Sequence, residues 1–119
     1  MNRDYGDFLY DILDSIDQTS LFTDGITFEE FAKDIKTVNA VIRSLEVLGE
    51  AVKNLPDDIR NHAPSVPWKR MAGMHDKLIH DYFGVDLAII WAVVQEELPP
   101  LREPIRLLAR EIYPQDNLR

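Results

Sequence analysis

Apolar residues recur along this chain at three- and four-residue steps, the spacing of helices that turn one face to a core. Between residues 4 and 18, Tyr5, Phe8, Leu9, Ile12 and Ile16 hold such a stripe with acids between them, which predicts an amphipathic helix. Thr23-Asp24-Gly25 predicts a turn. Thr27 followed by Glu29 and Glu30 has the form of an N-cap with acids in the first helical turn, where the helix dipole favours negative charge. The clearest element comes next. Phe31, Ile35, Val38, Ile42, Leu45, Gly49 and Val52 form one unbroken stripe, and Val41, Leu48 and Leu55 form a second beside it. Two stripes predict a helix covered on more than one side. Gly49 in the main stripe lets a neighbouring helix come close, at a propensity cost of roughly 1 kcal/mol. Pro56 is expected to end this helix.

Residues 57–66 predict a short turn of helix and a loop closed by Pro64 and Pro67. A third helix is expected from Trp68 to Phe83, stopped by Gly84. Asp86 then caps a fourth, in which Leu87, Ile90, Val94, Leu101, Ile105, Leu108 and Ile112 keep helical register. Pro99-Pro100 must kink or divide it, with Pro100 suited to a new first turn. Strand alternation beside hairpin turns is nowhere visible. The fold class is therefore all-α: an up-and-down helical bundle with short connections and a Pro-kinked C-terminal helix. Residues 1–119 show no repeat and no dividing linker, so they read as a single domain, ending in a frayed tail from Gln115 to Arg119.

Composition narrows the picture. Hydrophobic residues make up 45% and charged residues 29% of the 119, a folded and soluble balance. The chain has no cysteine, which excludes disulfides and thiolate metal sites. No apolar run approaches the roughly 18 residues of a membrane helix, and Met1-Asn2-Arg3-Asp4 leads into amphipathic sequence without a signal-peptide core. A cytoplasmic protein is the expectation. The net charge of -8 argues against non-specific coating of nucleic acid, although a local basic groove remains open at Trp68-Lys69-Arg70 and Lys77.

The candidate chemistry lies in one stretch, Trp68 to Asp86, which holds two of the three histidines, His75 and His80, with Asp76, Asp81 and Tyr82. Asp76 and His80 are one helical turn apart and share a face, so the carboxylate can orient the imidazole. His75 and Tyr82 share another face, about 140° round from His80 at about 100° per residue. One straight helix cannot aim both histidines at one point, so a partner helix or a two-fold dimer mate would complete a cleft. Three readings fit. Acid–base cleavage of a phosphodiester needs a group titrating near neutrality and a cation for the phosphate, roles open to His80, His75 and Lys77 or Arg70. Metal binding by His75, Asp76 and His80 is the second, on a weak spacing signal. The third is a polar bundle surface with no chemistry.

The block Gly73-Met74-His75-Asp76-Lys77-Leu78-Ile79-His80-Asp81-Tyr82-Phe83-Gly84-Val85-Asp86 resembles the signature of HepT-type HEPN ribonuclease toxins: Arg, a polar residue, three others, His, any residue, Tyr. The likeness continues in Val41 to Ala51, similar to the family's Arg…Gly-Glu-Ala helix, and in Val66-Pro67-Trp68, Ile90-Trp91 and Leu98-Pro99. It covers nearly the whole chain. The resemblance implies a HEPN-like fold and a metal-independent endoribonuclease that cleaves tRNA or mRNA without a cofactor. It also implies a homodimer whose motif helices meet at a cleft. By position, His80 would be the catalytic histidine, Asp76 the polar residue of the motif, and Lys77, Arg70 and Lys69 the nearby cations for RNA. The family's partner is a minimal nucleotidyltransferase antitoxin, in a type VII-like toxin–antitoxin pair, which adds AMP to the motif tyrosine, here Tyr82. Such a group would place negative charge and bulk where RNA phosphate must sit.

The departure is at the first motif position, where the family has Arg and this chain has His75. Arg is a permanent, bidentate phosphate clamp, whereas a histidine with a pKa of about 6.5 is charged only part of the time at neutral pH. Losing one transition-state donor costs on the order of 10²–10³ in rate. Three readings follow: a weakened or inactive toxin, a chain altered so that its host survives its expression, or a His75–His80 acid–base pair that keeps activity. A non-catalytic dimeric module that docks the nucleotidyltransferase is the alternative function.

Other residues take plainer readings. Arg43 and Glu50, seven apart on the long helix, suggest a buried or semi-buried ion-pair position ahead of support for the motif or a dimer seam. Trp68 and Trp91 suit the core better than base stacking. His62, between prolines, is expected in solvent, and Glu46 extends a polar face.

Overall fold

The computed structural model describes residues 5–80 and 86–114; within the first of these stretches the side chains of His75, Leu78, Ile79 and His80 are not described. The helices are α1 (Tyr5–Phe22), α2 (Phe28–Lys33), α3 (Ile35–Lys53), α4 (Asp57–Arg60), α5 (Trp68–His80), α6 (Leu87–Ala92) and α7 (Arg102–Ile112). A π-helical turn (Val93–Glu97) and a 3-10 turn (Pro99–Leu101) lie between α6 and α7. Among the described residues there is no strand, and the chain is an all-α bundle with a bent C-terminal helix. Among them, too, no helix is long and apolar enough to cross a membrane.

The stripes find the core they predict. α3 is the centre, packed most extensively against α1 on one side and α5 on another, and α7 closes against α1. Leu9, Ile12 and Ile16 of α1 and Val41, Leu45, Leu48 and Val52 of α3 are all at most 1% exposed, which confirms a long helix covered on two sides. α1 runs four residues beyond its expected end, to Phe22. The turn after it uses Gly25 at φ +74, a left-handed conformation in which a side chain would be strained. Thr27 and Glu30 form a reciprocal capping box: the Thr27 hydroxyl accepts from the Glu30 N–H at 3.1 Å, and the Glu30 carboxylate accepts from the Thr27 N–H at 3.0 Å.

Three sequence expectations need correction. The stripe from Phe31 to Val52 does not belong to one helix, because Asp34 breaks it with extended backbone (φ -100, ψ 91). Its carboxylate accepts from the Thr37 N–H at 3.3 Å and the Thr37 hydroxyl at 2.7 Å, so a local cap outcompetes continuation of the helix. α3 stops at Lys53 with Asn54 as its cap, and Pro56 instead precedes α4 as its N-cap. Arg43 is three-quarters exposed and pairs with Glu46 at 3.5 Å, not with Glu50 in a buried position. Seven residues share a helix face but lie two turns apart, whereas three residues place two side chains in reach.

The expected break at Pro99-Pro100 is present, but it begins upstream. Neither proline has an N–H to donate to a carbonyl four residues back. The Leu98 N–H donates five residues back, to the Val93 carbonyl at 2.9 Å, which widens the helix into the π turn. The Leu101 N–H then donates three back, to Leu98, at 2.9 Å, and α7 starts in a new direction.

Candidate active site

The signature block begins on α5, whose entry is fixed from behind. The Trp68 indole N–H donates to the carbonyls of Arg60 and Ala63, at 3.1 and 3.0 Å, while its ring is buried. One aromatic residue thus ties the α4 loop to the first turn of the motif helix. Trp91 packs against Phe28 and Phe31 at centroid distances of 6.1 and 5.3 Å, so both tryptophans belong to the core and not to a stacking platform.

α5 is α-helical through positions 75 and 80. The backbone therefore keeps these two positions about 140° apart around one axis. The His75 and His80 side chains lie outside the described residues, as do Asp81, Tyr82 and the helix stop expected at Gly84. Asp76 is described. It is exposed, and its Oδ1 accepts from the Lys53 Nζ of α3 at 2.8 Å, the side chains being 54% and 42% exposed. That hydrogen bond holds the Lys53 ammonium above its ordinary pKa, against a smaller opposing effect of desolvation. The sequence does not single out Lys53: it lies 23 residues from Asp76, and only the packing of α3 on α5 joins them.

The basic residues near the motif divide into two groups. Lys69 and Lys77 are exposed on α5. Arg70 is paired with Glu97 of the π turn, so RNA contact through its guanidinium would compete with that carboxylate. The pair borders an apolar cleft of about 280 Å³ between α5 and the π and 3-10 turns, with Met71, Met74, Leu98 and Leu101 in its lining. His62, expected in solvent, is about half exposed and meets Glu111 of α7 at 3.2 Å.

Chemically, the described part of the site offers a carboxylate held by a lysine beside two histidine positions, on a helix with further exposed cations. That set suits phosphate chemistry driven by proton transfer.

Comparison with known proteins agrees. The family described as ribonuclease HepT-like matches residues 12–108, a span containing the whole signature block. An RNase-named protein of Methanocaldococcus jannaschii is 51% identical over 115 residues, 97% of this chain and 95% of the relative. A protein of Thermococcus cleftensis named as a ribonuclease HepT is 49% identical over 102 residues, 86% of this chain and 93% of its own. An RNase-named protein of Caldanaerobacter subterraneus is 52% identical over 82 residues, 69% of this chain and 73% of its own. No solved structure matches the chain. With a family match across most of its length and relatives aligned nearly end to end, this chain belongs to the HepT-like ribonucleases.

Proposed function

We propose that this chain is the toxin of a HEPN/minimal-nucleotidyltransferase pair, a metal-independent endoribonuclease acting as a symmetric dimer. The observation that carries the reading is the family signature, which lies inside the matched span and begins on α5, a helix braced by α3. In the reaction, a base takes the proton of a ribose 2′-hydroxyl, whose oxygen attacks the adjacent phosphorus. The bond to the 5′-oxygen of the next nucleotide breaks, and that oxygen receives a proton, leaving a cyclic phosphate and a free 5′-hydroxyl. His80 is the residue assigned to proton transfer, with Asp76 as its neighbour one turn earlier and Lys69, Lys77 or Arg70 as cations for RNA. The angle between positions 75 and 80 on one helix supports completion of the site by a second copy. AMP on Tyr82, added by the nucleotidyltransferase, silences the enzyme by charge and bulk.

His75 favours a second reading, in which the dimer only docks the nucleotidyltransferase. Growth separates the two. Induction of the His75→Arg chain alone should arrest a bacterial host, His80→Ala in that background should not, and co-expressed nucleotidyltransferase should relieve the arrest with a mass increase of one AMP on Tyr82. No arrest, even with Arg at position 75, leaves only the docking role.

A further inference from the structure

We infer that Lys53 is a positioning residue of this site: its ammonium, projecting from the end of α3, holds the Asp76 carboxylate in place between motif positions 75 and 80. The inference rests on the ribonuclease reading above and adds to it a residue from outside the signature block.

Three observations carry it. The contact is a direct charge-assisted hydrogen bond of 2.8 Å between helices, and it reaches the motif residue that directly follows position 75 and precedes position 80 by one turn. Lys53 also occupies the last turn of α3, where the helix dipole itself favours a cation. Finally, the pair is too exposed to matter much as a structural brace, since ion pairs open to water contribute little to stability. Its distinguishing property is where it ends: on a carboxylate one turn from the proposed catalytic histidine. With its rotation fixed from α3, Asp76 can present a constant orientation to the imidazole position one turn on.

The test is a double-mutant cycle in RNA cleavage by the full chain, in whichever background cleaves, the parent or His75→Arg. Lys53→Met should lower kcat by roughly tenfold or more, the order seen when a group that orients a reacting side chain is removed, with KM little changed. Lys53→Arg should restore most of the loss. In an Asp76→Asn background, Lys53→Met should have no further effect. Thermal melts of each variant, with Lys53→Gln as a second neutral replacement, separate lost activity from lost folding. Lys53→Met with parental kcat overturns the inference while leaving the ribonuclease reading intact. A rise in KM that persists in the Asp76→Asn background also overturns it, because Lys53 would then be touching RNA directly. If neither background cleaves any RNA although both are folded, the ribonuclease reading fails and the role of Lys53 in it fails too.

Discussion

At the scale of single residues, Trp68 shows how a side chain can serve the site without joining it. Its indole N–H donates to one carbonyl at the end of α4 and one in the loop that leads into α5, and its ring is buried at the base of the helix. Trp68→Phe keeps most of the ring and removes the donor. The net value of such a hydrogen bond predicts a loss of about 1 kcal/mol in urea unfolding. Unchanged stability would show that the loop is held by packing alone. The core role of Trp68 was legible from helical spacing, but the carbonyls it meets were not, because backbone acceptors carry no sequence signal. Lys53 was hidden for a related reason. Nothing in its own neighbourhood connects it to Asp76, and the link exists only because α3 and α5 lie side by side.

At the scale of elements, periodicity located the helices and misjudged where two of them break. Phe31, Ile35 and Val38 keep a perfect helical stripe, yet Ile35 is 73% exposed because the backbone turns at Asp34 just before it. The signal that could have revealed the break is the Asp34-x-x-Thr37 cap, which competes locally with the apolar pattern. This cap gives a pH prediction. Donation from the Thr37 hydroxyl, then from its backbone N–H, holds the Asp34 carboxyl below its ordinary value of 3.8. A carboxyl with a lowered folded pKa stabilises the fold above its unfolded value and loses that contribution as pH falls through the folded one. The melting temperature of Asp34→Ala should therefore trail that of the parent at neutral pH, and the gap should close as pH drops below 3.8. A gap independent of pH would mean that the cap acts without its charge. The π turn was half legible. Pro99-Pro100 announced a break, but not that the helix would first widen just before it, where the Leu98 N–H reaches five residues back to Val93.

At the scale of the whole molecule, the bundle, its core and the family were readable from one sequence, since stripes, caps and the block around His80 all pointed the same way. The angle between positions 75 and 80 pointed to a second element completing the cleft, but its lining was not legible, because in the proposed function half of it belongs to a second copy. The acidic net charge of -8 remains compatible with a ribonuclease that carries Lys69, Arg70 and Lys77 on α5. In the proposed function, position 75 sets how much activity survives. The most direct measurement is digestion of total tRNA and a model mRNA, in EDTA, by three purified proteins: this chain, His75→Arg, and His75→Arg with His80→Ala. His75→Arg should cleave, this chain should cleave on the order of 10²–10³ more slowly, and loss of His80 should abolish cleavage. RNA left intact by all three folded proteins, or cleaved equally well without His80, would contradict the proposed function.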